Sequence, residues 1–300
     1  MEIKKRVIAT WIGLSLVSMG AVSGELKSLT SEVQQREFRD GSAHTEWTLG
    51  KGSYTINDDY RFWFDVDKDY FDNNDSANQD GWDTEFGIGQ KVGELAGYDV
   101  TLNYIYRYDA RWEHGNSNKG WNQGQYIFSP FLDKTVSLFG KEMDFGIELW
   151  TQVGTVDENS LQDISGWETN FYLSGDLSDS WNLSLALYNL NYYDKAEDEY
   201  DYQAGTENYL TYSLPLGAGF TFKIENYIEA YYTPDSEYTW VSAHIEPALH
   251  FKESFNEHVS FHAKVSYEVV DWEYNSVNNV TAYNDTSNNE MQVLIGIHVK

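Results

Sequence analysis

The 300-residue chain has no cysteine, only four prolines, and 20 lysines and arginines against 48 aspartates and glutamates. Without cysteine there is neither a disulfide framework nor a thiolate metal site. So few prolines leave no proline-rich linker to divide the chain. The net charge of −28 excludes a nucleic-acid partner, because binding to phosphates needs clustered lysine and arginine. Long apolar runs are missing too. After the first two dozen residues no stretch approaches the roughly 20 apolar residues that a membrane-spanning helix needs.

What is present is aromatic and alternating. The chain holds 23 tyrosines, 11 tryptophans and 15 phenylalanines, too many for a disordered acidic chain. In VTLNYIYRYDARWE, residues 100 to 113, Val100, Leu102, Tyr104, Tyr106, Tyr108, Ala110 and Trp112 share one parity, while Thr101, Asn103, Arg107, Asp109 and Arg111 share the other. Only Ile105 breaks the pattern. A strand sends successive side chains to opposite faces, so such a segment separates an apolar environment from a charged one.

Equivalent apolar sets recur along the chain: Tyr54 to Tyr70, Trp82 to Val92, Met143 to Val153, Trp167 to Leu173, Phe220 to Tyr232, Val241 to Leu249, Val259 to Val269 and Met291 to Val299. With weaker segments at 32 to 39 and 43 to 50 the total is about fourteen strands. Near 181 to 193 the parity slips, since Trp181, Leu183, Leu185 and Leu187 are followed by Tyr188, Leu190 and Tyr192, which predicts a bulge or a strand boundary.

Connections alternate as well. Short ones at 94 to 97, 139 to 142, 177 to 180 and 215 to 219 take turns with longer polar ones at 72 to 81, 113 to 120, 157 to 166, 195 to 205 and 275 to 289. That sorting predicts an all-β, transmembrane, antiparallel up-and-down β-barrel over residues 25 to 300, with about fourteen strands and with twelve or sixteen as the neighbouring options. Trp and Tyr near strand ends, among them Tyr70, Trp82, Trp112, Trp121, Trp167, Trp181, Tyr232 and Trp272, would form interfacial girdles. The alternative is a soluble carbohydrate-binding sandwich or lipocalin-like barrel, whose many outward apolar strands would leave it sticky. Residues 1 to 24 have the order of a secretory signal peptide: Lys4, Lys5 and Arg6, then an apolar core, then small residues at Ser23 and Gly24.

The polar parity predicts the pore lining: Arg61, Asp65, Asp83, Glu85, Arg107, Asp109, Arg111, Asp144, Glu148, Lys223, Glu225, Glu246, Lys264 and Glu268. His244 and His262 are candidate pH sensors. A register opposing His262 to Glu246 would also oppose Lys264 to His244. Acids outnumber bases on this face, which predicts mild cation selectivity. No catalytic constellation and no cofactor is expected. The run DVDKDYFDNND at 65 to 75 has the composition of a calcium loop but lacks the central glycine and final glutamate of an EF-hand, so no metal is expected either.

Signal peptide, about 275 mature residues, some fourteen amphipathic strands, abundant Trp and Tyr and strong acidity together make the chain resemble the monomeric fourteen-strand porins of the OmpG type. The resemblance is architectural and covers nearly the whole mature chain. It departs from outer-membrane barrels at the end, GIHVK, where an aromatic residue is common. It implies a nonspecific, monomeric diffusion channel in the bacterial outer membrane for ions and small hydrophilic solutes, oligosaccharides among them. Outer-membrane lipid and the barrel assembly machinery would be its partners. Its opening would respond to pH through luminal histidines and a flexible outer loop, and His244 and His262 occupy the corresponding kind of place. The competing functional reading is an adhesin or receptor acting through long acidic loops.

Overall fold

The computed structural model describes residues 24–38, 40–73, 77–138, 140–156, 164–194, 199–234, 238–277, 280–284 and 290–300. Residues 1 to 23, where a signal peptide is expected, and residues 157 to 163 lie outside the described residues, as do the side chains of Trp121, Tyr192 and Trp272. Sixteen strand segments follow one another: β1 (Glu25–Glu37), β2 (Ala43–Thr55), β3 (Tyr60–Asp72), β4 (Gln79–Leu95), β5 (Tyr98–Glu113), β6 (Asn116–Leu138), β7 (Lys141–Val156) and β8 (Ile164–Ser178). The second half comprises β9 (Trp181–Asp194), β10 (Glu199–Gly217), β11 (Phe220–Thr233), β12 (Tyr238–Ser254), β13 (Val259–Tyr267), β14 (Val270–Val277), β15 (Val280–Asn284) and β16 (Met291–Val299).

From β1 to β13 each strand pairs antiparallel with its sequence neighbour, and β1 closes on β16 from Leu29↔Val299 to Glu37↔Met291. Sixteen segments make fourteen staves because two staves are broken. Both β13 and β14 pair with β12, and β15 and β16 pair with β14 and β13 in turn. The result is a closed fourteen-strand antiparallel barrel, and no helix of the described residues is long and apolar enough to cross a membrane.

The break in the thirteenth stave is a bulge with a local cause. Ala248 pairs with Ser266 and Ile245 with Val270, so Glu246 and Pro247 face the three residues Tyr267, Glu268 and Val269. Proline has no N–H to give to a ladder, which favours an irregularity beside it. The bulge turns Val269 and Val270 outward in succession, at 51% and 39% exposure, and Glu268 inward, at 8%. Two hairpins turn on the pairs Ala96–Gly97 (φ 53° and 80°) and Ala218–Gly219 (φ 50° and 81°), the left-handed geometry that tight hairpins prefer.

Several sequence expectations change in the folded chain. The parity run from Tyr54 to Tyr70 is two strands, broken at residues 56 to 59, where Asn57 Oδ1 accepts the N–H groups of Asp59 and Tyr60. The polar stretches at 113 to 120, 195 to 205 and 275 to 289 are in part strand, since β6 starts at Asn116, β10 at Glu199 and β14 runs to Val277. Polar composition misled because ladder hydrogen bonds, which no side chain supplies, carry these strands past the apolar band. The run from Asp65 to Asp72 is likewise strand and not a loop. No bulge occurs within 181 to 193: β9 keeps unbroken register with β10 from Trp181↔Tyr212 to Asp194↔Glu199. Tyr188 and Leu190 therefore sit on the same face as Ala186, opposite Leu187.

That face is the inside. Large apolar side chains stand exposed on the outer parity, for example Tyr126 at 59%, Val153 at 63%, Leu187 at 56% and Ile295 at 51%. Outward aromatics meet across strands, with Tyr104 against Phe128 (5.3 Å) and Tyr106 against Tyr126 (5.1 Å). Inside, no apolar core forms. Only scattered hydrophobic residues such as Ile105 and Ile127 are buried on this face among the described residues.

Candidate functional site

The inner wall is a set of cross-strand ion pairs, built because inward positions of adjacent strands lie about 5 Å apart and long side chains bridge further. On the first third of the barrel a chain of contacts crosses β3, β4, β5 and β7. The Arg61 guanidinium lies over the Trp63 ring (5.1 Å), and Trp63 Nε1 donates to Glu85 Oε1 (2.9 Å). Arg107 Nη2 donates to Glu85 Oε2 (2.8 Å) and its guanidinium lies over Trp150 (5.2 Å). Gly87 makes this possible. A Cβ at Gly87 would land inside the Trp63 ring, so the indole lies flat against the wall only because position 87 has no side chain.

Above that row, toward the end carrying the loop between β3 and β4, Arg111 gathers Asp83 (2.9 Å), Asp69 (3.1 Å) and Asp109 (3.3 Å). Asp69, 2% exposed, also accepts from His44 Nε2 at 2.8 Å, and His44 stacks on Phe71 at 4.2 Å. Ligand atoms of His44, Glu46 and Asp69 lie within 4.8 Å of one another, and Arg111 already neutralises Asp69 there. Asp65 holds Lys51 (2.6 Å).

The opposite wall carries a second network. Lys264 on β13 reaches over β12 to Glu225 on β11 (2.7 Å) and also meets Glu246 (2.7 Å). Glu225 accepts as well from His250 (3.2 Å), with Lys223 at 4.0 Å. His244 Nδ1 stands 2.9 Å from Glu268 and its Nε2 meets the Ser242 hydroxyl. His262 Nε2 crosses β16 to Glu32 on β1 at 2.8 Å. The expected register therefore fails: His262 pairs with Lys252 and Lys264 with His250, not with Glu246 and His244. Lys252 and His244 are eight residues apart on β12, so the two histidines are separated by roughly 26 Å along the stave. The short turn at 255 to 258 sets that register, from Ser254↔Ser260 onward, and its length was not visible in the alternation.

Between these networks, Asp144 accepts from Thr135 (3.2 Å), and Glu148 accepts from the Ser129 and Tyr172 hydroxyls. All sixteen residues singled out from the sequence fall on the inner parity. The reading omitted Glu32, His44, Trp63, Asp67, Asp69 and Trp150, which share that face. Parity alone would have found Trp63, Asp67 and Asp69, which are in step with Arg61 and Asp65. Glu32 and His44 were obscured by the weak apolar pattern of the first two strands.

No protein-family model and no curated protein matches the chain. Among solved structures it is similar to an outer membrane channel from Pseudomonas putida F1, at 8% identity and a TM-score of 0.44 over 93% of this chain and 95% of that one. It is similar to the anion-selective porin from Comamonas acidovorans at 9% identity and a TM-score of 0.36, covering 92% and 99% of the two chains. For the CymD monoaromatic hydrocarbon channel the figures are 9% identity and 0.45, over 93% and 88%.

Proposed function

We propose that the protein is an outer-membrane diffusion channel that passes ions and small hydrophilic solutes, oligosaccharides among them, with a mild preference for cations. The carrying observation is the division of the barrel wall: exposed apolar and aromatic side chains outside, ion-paired side chains inside. Lipid can solvate only the first and water only the second. Fourteen staves also exceed the roughly eight whose side chains fill a barrel interior, so the charged lining borders water. Paired acids and bases on that lining make selectivity a matter of pore diameter and residual charge, and the acids are in excess. The barrel closes on itself through β1 and β16 and acts as a single chain.

His262 and His244 serve as pH sensors in this reading, each through its own carboxylate, Glu32 and Glu268 respectively. An imidazole that gains charge between pH 5 and 8 converts a hydrogen bond into an ion pair. Reconstitution of refolded, heat-modifiable protein into planar bilayers in KCl tests the channel itself. Stable unit conductances support it, and their absence from folded protein overturns it.

A further inference from the structure

Over much of the inner wall a carboxylate sits against a cation: Glu85 on Arg107, Asp83 on Arg111, Glu246 on Lys264, Glu32 on His262. On β8 to β10 that pairing stops. Between Lys141 and Lys223 the sequence holds one basic residue, Lys195, and no histidine. Glu168 on β8 and Glu207 on β10 have no ion-pair partner among the described residues. The nearby cation, Arg107, is held by Glu85 and Trp150.

Around these two acids donors are few, and one is the Asn170 amide, which donates to Glu168. Asn170 pairs with Glu148 on one side and Tyr188 on the other; it is 4% exposed, and its buried Oδ1 has no hydrogen-bond partner. Glu148 is already satisfied by the Tyr172 and Ser129 hydroxyls, and Glu229 by the Tyr227 hydroxyl. Tyr188 lies over Gly205, where a Cβ would collide with its ring, and it interacts electrostatically with Glu168, Glu207 and Glu229. Trp150, opposite Glu168 in register, already carries a guanidinium over its ring. An unmatched buried acceptor, two unpaired carboxylates and an aromatic surface are complementary to one chemistry, a positively charged group rich in N–H donors.

We infer that the β8–β10 wall is a subsite for a small organic ammonium ion, with Glu168 and Glu207 balancing its charge, Asn170 Oδ1 accepting an N–H and Tyr188 lying along its carbon chain. This rests on the channel reading for access through the lumen and extends it to a class of solute. An alkyl ammonium fits better than a metal ion because the site offers an aromatic surface beside its oxygens.

Binding of putrescine to the detergent-folded barrel, followed by titration calorimetry, reads the subsite without requiring conduction. Glu168→Gln together with Glu207→Gln is expected to weaken binding at least tenfold, and Glu207→Gln alone to weaken it by less; heat-modifiable migration verifies that each variant is folded. The proposal is overturned if wild type does not bind putrescine, if the folded variants bind as wild type does, or if equimolar Mg²⁺ displaces putrescine completely, which marks a plain counter-ion site. Conductance in KCl is measured on the same preparation. Putrescine binding that the variants lose, in a barrel that forms no channel, keeps the subsite and removes the channel.

Discussion

His262 on β13 and Glu32 on β1 meet at 2.8 Å across the intervening β16, joining the last full stave pair to the first. Gly296 lies beneath the contact, and a Cβ there would press on the imidazole. The pair thus ties the seam where the barrel closes, and it is an ion pair only while the imidazole is protonated. In His262→Ala, single-channel records taken from pH 5 to 7.5 are expected to lose part of the pH dependence seen in wild type. An unchanged pH profile removes this histidine from gating.

Neighbouring positions on β5 should behave as opposites. Arg107→Glu breaks the bond to Glu85 and removes the guanidinium from Trp150, leaving two acids side by side in the lumen. Its reversal potential in a KCl gradient is expected to move further toward cations while folding yield is retained. Tyr106→Glu instead puts a charge beside Tyr126 on the lipid side, at a cost of up to about 2 kcal/mol, and lowers the folded fraction in vesicles. If both substitutions had the same effect, the assignment of inside and outside would be wrong.

Gly87→Ala is a small change with a large consequence. The added Cβ has no room beside the Trp63 ring, so the indole must lift from the wall and give up its bond to Glu85. Overpacking of this kind costs about 1–3 kcal/mol. A lower denaturant midpoint with shifted tryptophan emission is expected, and a variant that unfolds as wild type does would show that the ring is not held there.

Lys264→Met leaves Glu225 and Glu246 without their shared cation. Charged hydrogen bonds contribute about 1.5–3 kcal/mol, and His250 and Lys223 beside Glu225 recover part of that. The loss should therefore be greater in Lys264→Met with His250→Ala than in Lys264→Met alone. Denaturant unfolding of the two variants measures the difference, and equal losses would exclude compensation by His250.

Alternation along each strand made the barrel and its two surfaces legible in the sequence. Arg107 and Tyr106 are assigned to opposite faces by period 2 alone, because a strand leaves no other choice. Loop lengths were less legible: β6, β10 and β14 run into polar segments, since backbone pairing continues wherever a partner strand is present. Tyr188 and Leu190 look like a slip in sequence only because aromatic residues were expected to face lipid; Gly205 gives the tyrosine a place on the inner wall.

What the sequence by itself determined is therefore a local property, the face each residue takes, dictated by strand geometry and the solvent on either side. Which luminal groups meet was decided by register and closure. The register of β13 against β12 and β16 sends Lys264 to Glu225 and His262 to Glu32, and the pairing of β1 with β16 brings together residues 230 positions apart. A one-residue change in register alters every such partner, so the ion pairs belong to the tertiary structure.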